Sequence, residues 1–294
     1  MRASAPEVAQ LLIFNYPITR LPNYQLIRLL TAFFLLGFSG ISQQPQGGKS
    51  TPAKPAETPA QFAFMPKPDP ANHLPVGQTL VYTAEWRVFN AGTVTLRLEQ
   101  PQPGQEARVL GTADAAGAVA LLYHVRDRYE SFFNIASLCS KSLSKSMEEG
   151  LRRVNATIAF DYQRGKAVLD QKNLKKGDNK HAENDIPGCV TDLLSAFYIV
   201  GTLPLQPGKN FFLPLNDGGK TVTVDVHVEA REQIKTPAGT FNTILIQPDV
   251  PSGVLRGKGK MWIWYAEDLR MPVRLKGHLF WGTVTFTLQR IEKK

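Results

Sequence analysis

The sequence predicts a mainly β protein, an antiparallel meander forming a curved sheet or incomplete barrel with one or two short helices. Three observations lead there. Apolar and polar residues alternate with period two through most of the chain beyond residue 75. Short turn signals separate the alternating runs, too short for the crossovers that parallel strands need. Near residue 192 the pattern changes to helical spacing.

Residues 1–42 come first. Arg28 precedes an apolar run over residues 29–38, and Gly40 and Ser42 supply small residues after it. A basic residue, an apolar core and a small-x-small stop read as an export signal, cut after Ser42. The run is short of the roughly 20 apolar residues that span a bilayer, so cleavage is expected rather than anchoring. No Cys follows the run at the cut, which speaks against a lipoprotein anchor. The stretch before Arg28 is over-long for a signal, and a start site placed too far upstream accounts for it. The expected location is periplasmic after cleavage, with membrane contact only during export.

Residues 43–74 are rich in Pro, Ala, Gln and Lys and have no apolar period. Such a stretch buries too little apolar surface to offset its ordering entropy, so it reads as a disordered linker. Residues 75–294 are long enough for one sizeable core and form the β-rich domain.

Within that domain, strands are expected at 80–89 and 93–100, with Asn90-Ala91-Gly92 as the turn between them. Further strands fall at 143–147 and 152–162, separated by Glu149-Gly150. Val222, Val224, Val226 and Val228 alternate with Thr223, Asp225, His227 and Glu229, after the hairpin signal Asn216-Asp217-Gly218-Gly219. Pro237-Ala238-Gly239 introduces a strand at 241–247. Met261, Ile263 and Tyr265 alternate with Trp262 and Trp264, so both faces of that strand are apolar or aromatic. Val284, Phe286 and Leu288 alternate with threonines. The helix covers 192–203: Leu193, Ala196, Phe197 and Val200 share a face, Thr191 or Asp192 caps the start, and Pro204 stops it. A second helical turn is expected at 118–124.

The formal net charge is +9, which suits anionic partners in general. The charges are scattered, however. The densest group, 172–180 with Lys175-Lys176 at its centre, lies in a Gly/Asn/Asp-rich stretch without aromatics and reads as a solvated loop. Nucleic-acid binding is therefore not expected. Cys139 and Cys189 are the two cysteines. In an oxidising compartment they could pair, but geometry rather than spacing decides this.

Motifs for nucleotide chemistry fail. Gly219-Lys220-Thr221 has Pro214, and Gly48-Lys49-Ser50 has Gln43, where a phosphate loop needs glycine. Gly253, Gly257 and Gly259 precede a strand instead of following one. Asp225, His227 and Glu229 share a strand face, a mixture usual on exposed strands, so neither metal nor cofactor is expected. Asp192 and Ser195 could serve a hydrolase only with a distant His, and helix capping explains them with less. The chain holds no Gly-x-Ser-x-Gly elbow.

The aromatic residues leave two readings. They pack a core, or they line an apolar cavity for a lipid-like or amphipathic ligand. The expected lining is Trp86, Met261, Ile263 and Phe286 from strands and Phe197 and Tyr198 from the helix. With a filled core, the alternative is a structural or adaptor module binding envelope proteins. Hydrolysis of an envelope polymer ranks third.

Five ordered blocks carry a family resemblance. They are Val125-Arg126-Asp127-Arg128-Tyr129-Glu130-Ser131; Glu149-Gly150 with Phe160-Asp161-Tyr162; the helix from Asp192 through Tyr198 with Leu203-Pro204-Leu205; Thr236-Pro237-Ala238-Gly239-Thr240-Phe241; and Trp262-Ile263-Trp264-Tyr265. Together they resemble the bacterial domain-of-unknown-function 3108 family over about residues 75–291. The resemblance implies an exported or envelope-associated β-rich protein without an established activity, and supplies no catalytic residues. Its architecture is similar to the lipoprotein-carrier type, a half-open barrel with a helix at its mouth, which is an analogy of fold alone. Cys189, just before the helix, departs from the family pattern.

Overall fold

A computed structural model of the chain describes residues 64–100, 106–249, 260–279 and 282–293. The expected signal, residues 43–63 of the expected linker, Gly253, Gly257 and Gly259, and Trp281, one of the aromatic residues expected to pack a core or line a cavity, lie outside the described residues.

Fourteen described strands form one antiparallel sheet: β1 (Gln78–Trp86), β2 (Phe89–Glu99), β3 (Glu106–Ala115), β4 (Val125–Asn134), β5 (Ser140–Glu149), β6 (Arg152–Asp161), β7 (Lys166–Asn173), β8 (Asn179–Asp185), β9 (Asn210–Asn216), β10 (Thr221–Thr236), β11 (Gly239–Asp249), β12 (Lys260–Ala266), β13 (Pro272–Leu279) and β14 (Gly282–Lys293). Helix α1 (Gly117–Leu122) joins β3 to β4, and α2 (Leu193–Thr202) joins β8 to β9. The mainly β meander read from the alternation is what the chain adopts.

Each strand pairs with its neighbours in sequence, except that β14 returns to pair with β1 and the edges are β8 and β9. The sheet curls without closing. At the seam Asn216 Nδ2 donates to Asn184 Oδ1 at 2.6 Å, and Thr221 Oγ1 donates to the Asp185 carbonyl at 3.1 Å. Edge strand β8 reads Asn-Lys-His-Ala-Glu-Asn-Asp, polar on both faces, which discourages another chain from adding to the sheet. Register shifts at Val81/Tyr82, Phe132/Phe133, Val228/Ala230 and Trp264/Tyr265 mark bulges, which add twist to a curling sheet.

One turn is displaced from its expected place. The first hairpin turns at Arg87 and Val88, with Arg87 at φ 57°. Asn90, Ala91 and Gly92 lie inside β2, Gly92 opposite Ala84. A Cβ at Gly92 would sit 2.3 Å from the Asp114 carbonyl oxygen. Glycine stands there because β3 approaches closely, not because the chain reverses.

The inward positions form the core, and α2 occupies their middle. Nine of its ten residues are buried, as expected of a helix apolar on all sides. A Cβ at Gly201 would lie 2.0 Å from the Arg270 carbonyl oxygen, so the end of α2 packs backbone to backbone on the β12–β13 turn. Tyr265 Oη donates to the Phe197 carbonyl at 3.1 Å, tying the helix to β12. Asp69 N donates to the Thr202 carbonyl at 2.8 Å, and Asn72 Nδ2 to the Thr202 and Leu203 carbonyls. Residues before β1 thus satisfy the free carbonyls at the end of α2.

Cys139 and Cys189 form a disulfide with a Cα–Cα separation of 5.1 Å. It joins the β4–β5 turn to the segment leading into α2. Closing a loop with a sequence separation of 50 restricts the unfolded chain and contributes about 2–4 kcal/mol. Among the described residues, no helix is long and apolar enough to cross a membrane.

Candidate functional site

The polar chemistry inside the barrel converges on the inner faces of β4 and β5. Alternation puts Asp127, Tyr129 and Ser131 inward on β4, and Lys145 and Glu149 inward on β5. Most other inward positions are apolar, so these groups need partners inside the fold.

Asp192 is the first hub. Its Oδ1 accepts from Leu194 N at 2.9 Å and Ser195 N at 3.0 Å, capping α2. Its Oδ2 accepts from Ser131 Oγ at 2.6 Å and Ser140 Oγ at 2.5 Å. Ser195 Oγ lies 2.8 Å from Ser131 Oγ. All four residues are fully buried, and no described histidine is hydrogen-bonded to these serines. The described His–carboxylate pairs are His124–Glu148, His181–Asp170 and His227–Asp225, and each is at least partly exposed. The arrangement anchors a helix; it does not present a nucleophile to a cleft.

The second element is an ion pair. Lys145 Nζ lies 2.5 Å from Asp217 Oδ2 and 3.2 Å from the Asp217 carbonyl oxygen, with both side chains almost wholly buried. Asp217 belongs to the β9–β10 turn, so that turn points into the barrel. Gly218 beside it has φ +96° and lies against Ile158 and Leu169, where a Cβ would come within 2.8 Å.

The third element closes one end. Buried Asp127 and Glu149 lie diagonally across the β4–β5 ladder. Asp127 Oδ1 accepts from Glu148 N at 3.0 Å, and Tyr129 Oη donates to Oδ2 at 3.3 Å. Arg152 donates to Glu149 at 2.9 Å. The Tyr123 ring lies on Gly150. Burial, then the charge of Glu149, pushes the Asp127 carboxyl up to about 7, against the opposing Glu148 amide, Tyr129 hydroxyl and Arg152. Burial also raises Glu149, with Arg152 opposing it.

This gives a pH dependence with a definite sign. Asp127 titrates near 4 when unfolded, so between about pH 4 and 7 the folded chain binds the extra proton. Stability is then greatest below that window and falls as pH rises through about 7. We expect a loss of about 2–3 kcal/mol between pH 5 and pH 8 from this group. Asp127→Asn should flatten the dependence, leaving a remainder from Glu149. Urea midpoints across that range would show it, and an unchanged slope in the variant would refute the assignment.

Of the expected cavity-lining residues, Phe197, Tyr198, Met261, Ile263 and Phe286 are only 1–9% exposed and belong to the core around α2. Trp86 is half-buried at the end of β1, with the Arg87 guanidinium 5.4 Å over its ring. None of the six lines the described grooves, which lie on the outer face. One, of about 470 Å³, runs over β3–β6 between polar side chains that include Arg128, Glu130, Ser144 and Thr157. Sequence reasoning missed Asp127 and Lys145, and it read Glu148-Glu149 as a turn where Glu149 is an inward residue of β5. Their signal was phase: Lys145 falls in register with Leu143 and Met147, and Asp127 with Val125 and Tyr129. Among the described residues, no group of three or more His, Cys, Asp or Glu is placed to hold a metal ion.

A family model described as a protein of unknown function (DUF3108) matches residues 81–289. A beta-barrel-like protein of domain of unknown function DUF1849 from Brucella abortus superposes with a TM-score of 0.53 at 9% identity, over 76% of this chain and 100% of that one. A Bacteroides fragilis protein described as exported, with a YmcC-like fold, gives 0.34 at 12% identity over 79% and 99%. A Parabacteroides distasonis protein described as a lipoprotein gives 0.29 at 10% identity over 74% and 95%. The first likeness is one of fold, and the other two are too distant to argue from. No curated protein matches the chain.

Proposed function

The chain belongs to the DUF3108 family of proteins of unknown function, and on that premise we propose that it is an exported module of the cell envelope that works through its surface. Its barrel interior is filled by its own chain rather than by a carried ligand. The observation that carries this reading is the burial of α2 and its neighbours. An open cavity would leave its lining accessible to water, yet five side chains expected to line one are 1–9% exposed. The β9–β10 turn fills further space beside Ile158 and Leu169. Export is supported by the apolar run before residue 42 and by a disulfide, which persists outside reducing compartments. The Asp192 serines bond inward and leave the surface as the place of action.

The test is native mass spectrometry, with organic extraction, of protein recovered from its own envelope without denaturation. The mass of the polypeptide alone is expected. An apolar or amphipathic molecule retained at one equivalent would overturn the filled-core reading.

A further inference from the structure

We propose that one end of the barrel docks on an anionic lipid surface. In an antiparallel meander, successive turns alternate between the two ends. The turns β1–β2, β5–β6 and β7–β8, with α1 between β3 and β4, therefore share one end. Hydrogen bonds hold these tips side by side. Ala116 N donates to the Ala91 carbonyl at 3.0 Å, Gly150 N to the His124 carbonyl at 2.7 Å, and Leu174 N to the Arg153 carbonyl at 2.8 Å.

Nine large hydrophobic residues are exposed among the described residues, and six of them lie at this end. They are Val88, Phe89, Leu121, Leu122, Leu151 and Leu174, between 49% and 89% exposed. Single exposed leucines are ordinary, but six on adjoining tips of one rim are not. At the opposite end the corresponding side chains, Leu138, Ile135, Tyr162 and Leu269, are buried or half-buried in the core. The apolar groups stand on separate tips, so they make no continuous flat face for a rigid partner. They suit a surface that yields around each side chain, as the headgroup region of a bilayer does.

Charge favours the same occupant. The tip of the β7–β8 hairpin, residues 172–180, carries exposed Lys172, Lys175, Lys176 and Lys180 against one acid, Asp178, and Arg87 stands beside Val88; Asp170, Glu183 and Asp185 lie further back along the strands. Lysines beside apolar tips attract anionic headgroups at about a Debye length and hold the apolar groups at the boundary. This inference rests on the proposed envelope location, but not on the filled interior. It replaces the expectation that membrane contact ends with export.

The experiment measures sedimentation of the full exported chain with vesicles of phosphatidylcholine, with and without phosphatidylglycerol. Binding to the anionic vesicles, weakened by salt, is expected. Leu121→Ser/Leu122→Ser should lower the partition coefficient on the order of tenfold or more, and Lys175→Glu/Lys176→Glu should also lower it. Lys235→Glu, at the opposite end, should leave it unchanged. All variants keep the same N-terminal segment, so differences among them isolate the rim. The altered side chains are exposed, and unchanged thermal midpoints would verify folding. No vesicle binding, equal binding to neutral vesicles, or rim variants no weaker than Lys235→Glu would overturn the proposal. A drop in oligomeric mass on changing the leucines would assign the rim to a second copy instead. An interior ligand found by native mass spectrometry would sink the filled-core reading and leave this one standing.

Discussion

Lys145→Met is expected to cost about 3–5 kcal/mol of folding stability, and the double variant Lys145→Met/Asp217→Leu to recover most of that loss. Lys145 Nζ and Asp217 Oδ2 are 2.5 Å apart with both side chains buried. The ammonium group also bonds the Asp217 carbonyl oxygen at 3.2 Å. Removing the lysine strands a carboxylate in the barrel, where burial already raises its pKa and the negative charge of Asp192 pushes the same way. The deficit should therefore be smaller near pH 5 than near pH 8, because protonation removes the stranded charge. Replacing both partners removes the uncompensated charge and leaves apolar groups of similar size. Urea unfolding with an unchanged slope would measure this. A double variant no more stable than the single one would show that the loss does not come from the stranded carboxylate of Asp217.

The same pair marks where sequence reading stops. Hairpin chemistry at Asn216-Asp217-Gly218-Gly219 was readable, because turn type depends on local residues. Insertion of that turn between β5, β6 and β7 was not, because it depends on contacts with residues 49 to 72 positions away, Leu169, Ile158 and Lys145. Phase placed Val222 to Val228 on one inward face, since the pleat makes every second residue share a face; at Met261 to Tyr265, where both faces are apolar or aromatic, it left the inward face open. Whether inward residues surround space or one another is a matter of volume, which alternation does not encode. Gly92 shows a local signal with two physical causes: glycine permits a turn and also a close strand approach, and here the approach of Asp114 accounts for it. The exposed leucines of the rim were invisible for a related reason. Each lies in a separate turn, and only the meander brings the turns together.

Asp192→Ala is expected to cost about 4 kcal/mol, well beyond the roughly 1 kcal/mol of an ordinary helix cap. The sequence supports half of that role: an Asp before an apolar helix caps it. The other half comes from the second oxygen, which accepts from Ser131 and Ser140, 61 and 52 residues away. The alanine leaves the amides of Leu194 and Ser195 and two buried hydroxyls without this acceptor, and each stranded buried group costs about 1–3 kcal/mol before relaxation. Ser140 Oγ retains the Asp192 amide, which donates to it at 2.9 Å, and Ser131 Oγ retains Ser195, so the sum falls short of the maximum. Asp192→Asn keeps an oxygen for the cap but sets an amide donor against the two hydroxyls, and its cost should lie between. Ser131→Ala removes one bond and should cost about 1 kcal/mol. The order Asp192→Ala, then Asp192→Asn, then Ser131→Ala in denaturant midpoints is the test. If Asp192→Ala costs no more than a surface cap, the serine bonds add nothing to stability, and α2 is held in the barrel by its apolar packing alone.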